Sequence, residues 1–115
     1  FVLFCGMDDL VMETQVLGAV GWISGFTDAF PQESVALWKL LSEGKYKEAL
    51  EIYRWFTPVL HMDVHAKLVQ YIKLAQEMTG VGKAHVRAPR LPLVGEEMER
   101  IRATIQKAID TRPKL

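Results

Sequence analysis

The chain begins on an unbroken apolar run, Phe1-Val-Leu-Phe-Cys5. A short continuous run of this kind predicts a strand buried on both faces, as in a parallel sheet covered by helices. Gly6 ends the run, and Asp8-Asp9 follow at a point where a helix can start and the helix dipole favours negative charge. Leu10, Val11, Thr14, Leu17 and Ala19 then recur near helical spacing, with Gly18 weakening the end of the helix. A second run, Val20-Gly-Trp-Ile-Ser24, is again strand-length. About a dozen residues separate the two runs, the least that a strand–helix–strand crossover accommodates, so the pair is expected to be parallel.

From Pro31 onward the pattern is helical. Pro31 suits a first turn, and Val35-Ala-Leu-Trp-Lys-Leu-Leu41 carries that helix towards a stop at Gly44. Tyr46, Ala49, Leu50, Tyr53, Phe56 and Leu60 form one face of an amphipathic helix that Pro58 should kink or end. Val64, Leu68, Tyr71, Ile72, Ala75 and Met78 predict another, closed by Gly80. An irregular stretch spans 81–94, and Met98, Ile101, Ile105 and Ala108 mark a last helix with Glu96, Glu97 and Glu99 in its favourable first turn. Two strands and four later helices make no complete fold, because strand edges need partners and a covered sheet needs neighbours. The expected fold class is α/β: the C-terminal portion of a larger protein, most naturally a barrel.

Composition narrows the function classes. The chain has 115 residues, with 14 Lys+Arg against 14 Asp+Glu. A net charge of zero argues against nucleic acid as partner and gives no attraction to an anionic membrane. One cysteine, Cys5, cannot form an internal disulfide, no apolar run approaches the roughly 20 residues of a membrane span, and Phe1–Gly6 is too short for a signal peptide. These features predict a soluble protein of a reducing compartment, the cytoplasm.

Candidate chemistry is sparse. His61 and His65 lie four apart around Asp63, but no zinc-protease Glu and no third ligand accompany them, so no metal is expected. Cys5 is expected to be buried and inert. Lys67 and Lys73 fall on outer helices, where solvation or ion pairing suits them better than a role as amine nucleophile. Trp22, Trp38 and Trp55 are expected to pack. Asp8 and Asp9 either decorate a helix N-terminus or bind a ligand.

Phe4-Cys-Gly-Met-Asp-Asp9 and Leu17-Gly-Ala-Val-Gly-Trp-Ile-Ser24 resemble the seventh and eighth strands of the dihydrodipicolinate synthase and N-acetylneuraminate lyase family. Ala36-Leu-Trp-Lys, Gly44-Lys-Tyr-Lys-Glu-Ala49 and Arg87-Ala-Pro-Arg-Leu-Pro92 continue the resemblance in order across the chain. Tyr53-Arg-Trp-Phe and His61-Met-Asp-Val-His65 look most like a branch acting on hydroxyproline-derived pyrroline carboxylates. The resemblance implies the end of a (β/α)8 TIM barrel over residues 1–44, with its last two strands and their helices. Residues 45–115 would then be an extension of three additional C-terminal helices, and the whole usually a homotetramer.

It further implies a lyase that binds a 2-oxo acid as a Schiff base on a sixth-strand lysine, upstream of Phe1. No catalytic residue is therefore expected in this chain, no cofactor is implied, and the isolated segment is expected to be inactive. The substrate would be a 2-oxo acid or cyclic imine, and the first partner the remainder of the barrel. By resemblance, the backbones of Gly6 and Ile23 face the reacting centre, while Asp8 and Asp9 match acidic positions that bind hydroxyls of the sugar tail in sialic-acid lyases. Gly25 matches a serine of those lyases, so its missing hydroxyl argues against a sialic-acid-type substrate. Asp28 stands where many members have asparagine. A pyrroline-4-hydroxy-2-carboxylate deaminase-like activity is the alternative within the family. A noncatalytic module, with Tyr46–Met78 buried against a partner chain, is the alternative outside it.

Overall fold

The two apolar runs pair in parallel, but over a shorter length than their hydrophobicity suggests. In the computed structural model, which describes Phe1–Leu115, β1 is Phe4–Cys5 and β2 is Gly21–Trp22. Phe4 stands opposite Gly21 and Cys5 opposite Trp22. Val20 N–H donates to Leu3 O at 2.8 Å and Ile23 N–H to Cys5 O at 2.9 Å, which extends the ladder past both ends. Gly21 has a packing reason, since a Cβ there would overlap the Phe4 ring. Burial on both faces is not observed: Cys5 is buried, whereas Phe1, Val2, Leu3 and Phe4 are exposed. The physical reason is that each strand has a single neighbour, so one face and the outer edges stay uncovered.

Asp8–Leu10 form a 3-10 turn that leads into α1, Val11–Val16, and Gly18 ends it with a φ of 100°. A second 3-10 turn, Phe26–Asp28, was not expected from the pattern; it buries Phe26 completely. The helix after it, α2, covers Pro31–Ser42 and closes at Gly44, whose φ of 71° is the left-handed conformation of a helix stop. Next, α3 runs Tyr46–Leu60 with Pro58 inside it. Pro58 does not end the helix, because it sits in the last turn, where a single backbone donor is lost and the chain then tightens into a 3-10 turn at His61–Val64. That turn delays α4, which spans Leu68–Met78 rather than starting at the exposed Val64. The last helix, α5, is Gly95–Asp110. No helix is long and apolar enough to cross a membrane.

One core of 20 buried residues runs from Cys5 to Ala108 and draws on both 1–44 and 45–115. Phe30 meets Trp55 and Phe56 edge-on, at ring separations of 5.7 and 5.4 Å. Around them Leu37, Leu41, Ala49, Val59 and Leu60 are fully buried, and Ile101 and Ile105 close the layer from α5. Truncating any of the larger of these to Ala costs about 2–5 kcal/mol through lost transfer energy and the cavity left behind. Trp55 Nε1 donates to Ala108 O at 3.0 Å and ties α3 to α5, as the packing role expected of this tryptophan requires. Buried Glu33 at the start of α2 is paired with Arg112 at 3.0 Å, and the Arg112 guanidinium also lies over the Phe30 ring. The C-terminal tail is thereby pinned to α2.

Candidate functional site

The residues singled out in the sequence gather where β1 and β2 end. Gly6 follows β1 directly and is exposed, with open space where a Cβ would lie. Ile23 follows β2 and is 70% exposed. Asp8 is buried instead: its Oδ1 accepts from Gly25 N–H at 3.2 Å and its Oδ2 from Phe26 N–H at 2.9 Å. This carboxylate thus ties the turn after β1 to the turn after β2. Burial pushes the Asp8 carboxyl above its ordinary value, against the lowering effect of the Phe26 N–H and the Ser24 hydroxyl, and nearby Asp63 adds to the rise.

The segment after α3 completes the cluster. Asp63 Oδ2 accepts from Asp8 N–H at 3.4 Å. Asp9, 9% exposed, places Oδ2 2.6 Å from His61 Nδ1, while its Oδ1 is buried with no partner. The Tyr53 hydroxyl from α3 lies against Asp9 O and is 2.9 Å from Glu13 Oε2. Burial, and then the Glu13 carboxylate, hold its phenol well above the usual range, so it stays protonated. Gly25 is packed against α4 so closely that a Cβ would overlap Ile72 Cδ1. Asp8 and Asp9 therefore sit in the first 3-10 turn, but their carboxylates bind across to other elements rather than decorating a helix end.

His61, Asp63 and His65 do not converge. His61 goes to Asp9, Asp63 to the Asp8 backbone, and His65 stacks on Tyr71 while its Nδ1 accepts from Lys67 N–H. The segment is a 3-10 turn followed by extended backbone at His65, which sends the two rings to different neighbours. The roles of His61 and Asp63 in the cluster were missed in the sequence, since their partners lie 52 and 55 residues away. Cys5 is buried and donates its thiol to Met7 O at 3.1 Å. Lys67 is paired with Glu97 at 2.5 Å. A concave region of about 450 Å³ lies between α2, α3 and the C-terminal tail and contains none of the strand-end residues.

The model of the dihydrodipicolinate synthetase family matches residues 1–108. The N-acetylneuraminate lyase of Mediterraneibacter gnavus is 28% identical over 99% of this chain and 37% of its own length. The 4-hydroxy-tetrahydrodipicolinate synthase of Exiguobacterium sibiricum is 38% identical over 82% of this chain and 31% of its own. Among solved structures, the 4-hydroxy-tetrahydrodipicolinate synthase of Methylacidiphilum fumariolicum superposes with a TM-score of 0.84 at 28% identity, covering 96% of this chain and 37% of that one. The dihydrodipicolinate synthase of Aquifex aeolicus gives 0.82 at 25% identity, covering 93% and 36%. The chain spans about a third of the length of the relatives it matches. With a family match across nearly all of its residues, the chain belongs to the dihydrodipicolinate synthetase family.

Proposed function

We propose that these residues form the last two strands of a (β/α)8 barrel over 1–44 and its three-helix extension over 45–115, in a homotetrameric, cytoplasmic Schiff-base lyase acting on a 2-oxo acid. The observation that carries the reading is the strand-end cluster. In barrels the reacting groups collect at the C-terminal ends of the strands, and Gly6, Asp8, Asp9, Ile23 and Gly25 all fall there. In this reading the backbones of Gly6 and Ile23 line the reacting centre. A missing Cβ at Gly6 lets backbone approach substrate closely. Asp8 shapes the wall by holding the Gly25 and Phe26 amides. The open strand edges and the exposed Val2, Leu3 and Phe4 are then covered by the remainder of the barrel.

The chemistry belongs to a lysine outside residues 1–115. Its neutral amine adds to the keto carbon of the substrate, the carbonyl oxygen leaves as water, and the protonated imine becomes an electron sink that acidifies the adjacent carbon. Addition, cleavage or loss of water can follow. The lysines of this chain are poorly suited to act as that amine. Lys67 is ion-paired with Glu97 and Lys45 with Glu43, both in solvent-facing positions.

Borohydride reduction of the full polypeptide in the presence of pyruvate tests the reading. One covalent adduct is expected, mapping outside this segment. An adduct on Lys39, Lys45, Lys67 or Lys73, or no adduct at all, would refute it.

A further inference from the structure

We propose that the hollow between α4 and the segment 81–94 binds a small molecule through a phosphate or diphosphate group, held by Lys73, Arg87 and Arg90. None of the strand-end residues lines this hollow, and the proposal stands independently of the reading above.

Charge along the chain is the first observation. Lys+Arg and Asp+Glu balance over the whole sequence at 14 each, yet residues 64–95 carry five Lys and Arg against a single acid, Glu77. Glu77 is engaged elsewhere, its Oε2 accepting from Ala84 N–H at 2.9 Å. Within 83–87 burial alternates with residue type: Lys83, His85 and Arg87 are exposed, whereas Ala84 and Val86 are half-buried. The backbone then fixes where the charges stand. Segment 81–94 holds no helix or strand, but Glu77 ties it at Ala84, and buried Gln70 ties it at Leu91 O, with Nε2 donating at 3.3 Å. Between these anchors Arg90 N–H donates to Arg87 O at 3.0 Å and closes a four-residue turn with an arginine at each end. An irregular segment of this length inside a compact domain is commonly a functional one.

Lys73 from α4 joins the two arginines, and with His85, Val69 and Val86 they line a hollow of about 320 Å³ that no carboxylate faces. The ion pairs of the chain use Lys45, His61, Lys67 and Arg112 instead. Three permanent cations gathered in one concavity repel one another, and a multiply charged anion relieves that repulsion. Donors that come from a helix and from both ends of a turn suit the tetrahedral oxygens of a phosphate, which guanidinium groups grip bidentately. Val69 and Val86 offer apolar contact to the organic remainder of the ligand. Because the chain as a whole is uncharged, a nucleic-acid strand finds no continuing basic track beyond the hollow, and a small ligand fits better.

The test is calorimetric titration of the full polypeptide with pyrophosphate at constant ionic strength. Saturable binding of one pyrophosphate per chain is expected. Arg87→Gln and Arg90→Gln should each weaken it about tenfold, as loss of a charge-assisted hydrogen bond implies, and Lys73→Gln should weaken it in the same direction. Both arginines are exposed, so these variants leave the packing of the core untouched. Lys47→Gln makes the same change of charge on α3, away from the hollow, and should leave the affinity as it was. Citrate, similar in charge but built of planar carboxylates, should bind more weakly than pyrophosphate. No saturable binding at millimolar pyrophosphate overturns the proposal, as does an affinity unchanged in Arg87→Gln and Arg90→Gln. An equal loss in Lys47→Gln, or citrate bound as tightly, shows general attraction to charge and overturns the phosphate assignment. The titration uses no 2-oxo acid and no reductant, so its outcome and that of the borohydride experiment are read separately.

Discussion

Replacing Asp8 with Ala removes the one side chain that bridges the ends of the two strands. Two amides, those of Gly25 and Phe26, lose their acceptor, and Phe26 is fully buried. A buried donor left unpaired costs about 1–3 kcal/mol, so the two together cost about 2–6 kcal/mol. Relief of the buried negative charge returns part of that, leaving a net loss of about 1–4 kcal/mol at neutral pH. The natural assay is hydrogen exchange of the segment 23–30 in the full polypeptide, because it reports local opening without requiring reversible global unfolding. Exchange of these amides should accelerate roughly 5- to 1,000-fold.

The pH dependence has a definite sign. Folding raises the Asp8 carboxyl above its ordinary value of 3.8. The folded site therefore binds a proton more readily than the opened one. The Asp8 contribution is full below the ordinary value and falls as pH rises through the raised one. After correction for intrinsic exchange, the gap between the unmodified protein and Asp8→Ala should widen as pH is lowered through that window. A gap that narrows instead would show that the two amide donors outweigh burial, and the reasoning about this carboxylate would be refuted.

Two other perturbations test the walls of the cluster. Gly25→Ala forces its Cβ against Ile72 Cδ1 and should cost about 1–3 kcal/mol, read as a drop in the urea midpoint of the full polypeptide. Ile72→Val deletes that same atom, so the double variant should be about 1 kcal/mol more stable than the sum of the singles; strict additivity would rule the contact out. Tyr53, raised by burial and by Glu13, should contribute an alkaline phenolate absorbance step that disappears in Tyr53→Phe. In Glu13→Gln that step should move to lower pH, and an unmoved step would show that Glu13 does not act on it.

The amphipathic faces of α3, α4 and α5, the stops at Gly18, Gly44 and Gly80, and the parallel sense of the two strands were all legible in the sequence. Each depends on local periodicity, on a backbone conformation that glycine adopts without strain, or on crossover length, and these are properties of contiguous residues. Likewise, the run of motifs from Phe4 to Pro92 placed the family and the strand ends at which to look. What the sequence did not contain is which side chain answers which.

Asp8 and Asp9 are adjacent in the chain, yet one is taken up by amides 17 and 18 residues later and the other by a histidine 52 residues away. His61 and His65 share helical spacing, yet a 3-10 turn sends them to different neighbours. The two apolar runs look alike as candidates for burial, but whether such a strand is covered depends on the elements beside it. Hydrogen-bond partners and burial are set by elements distant in the chain that packing brings within about 3 Å of one another, and no local pattern encodes that distance.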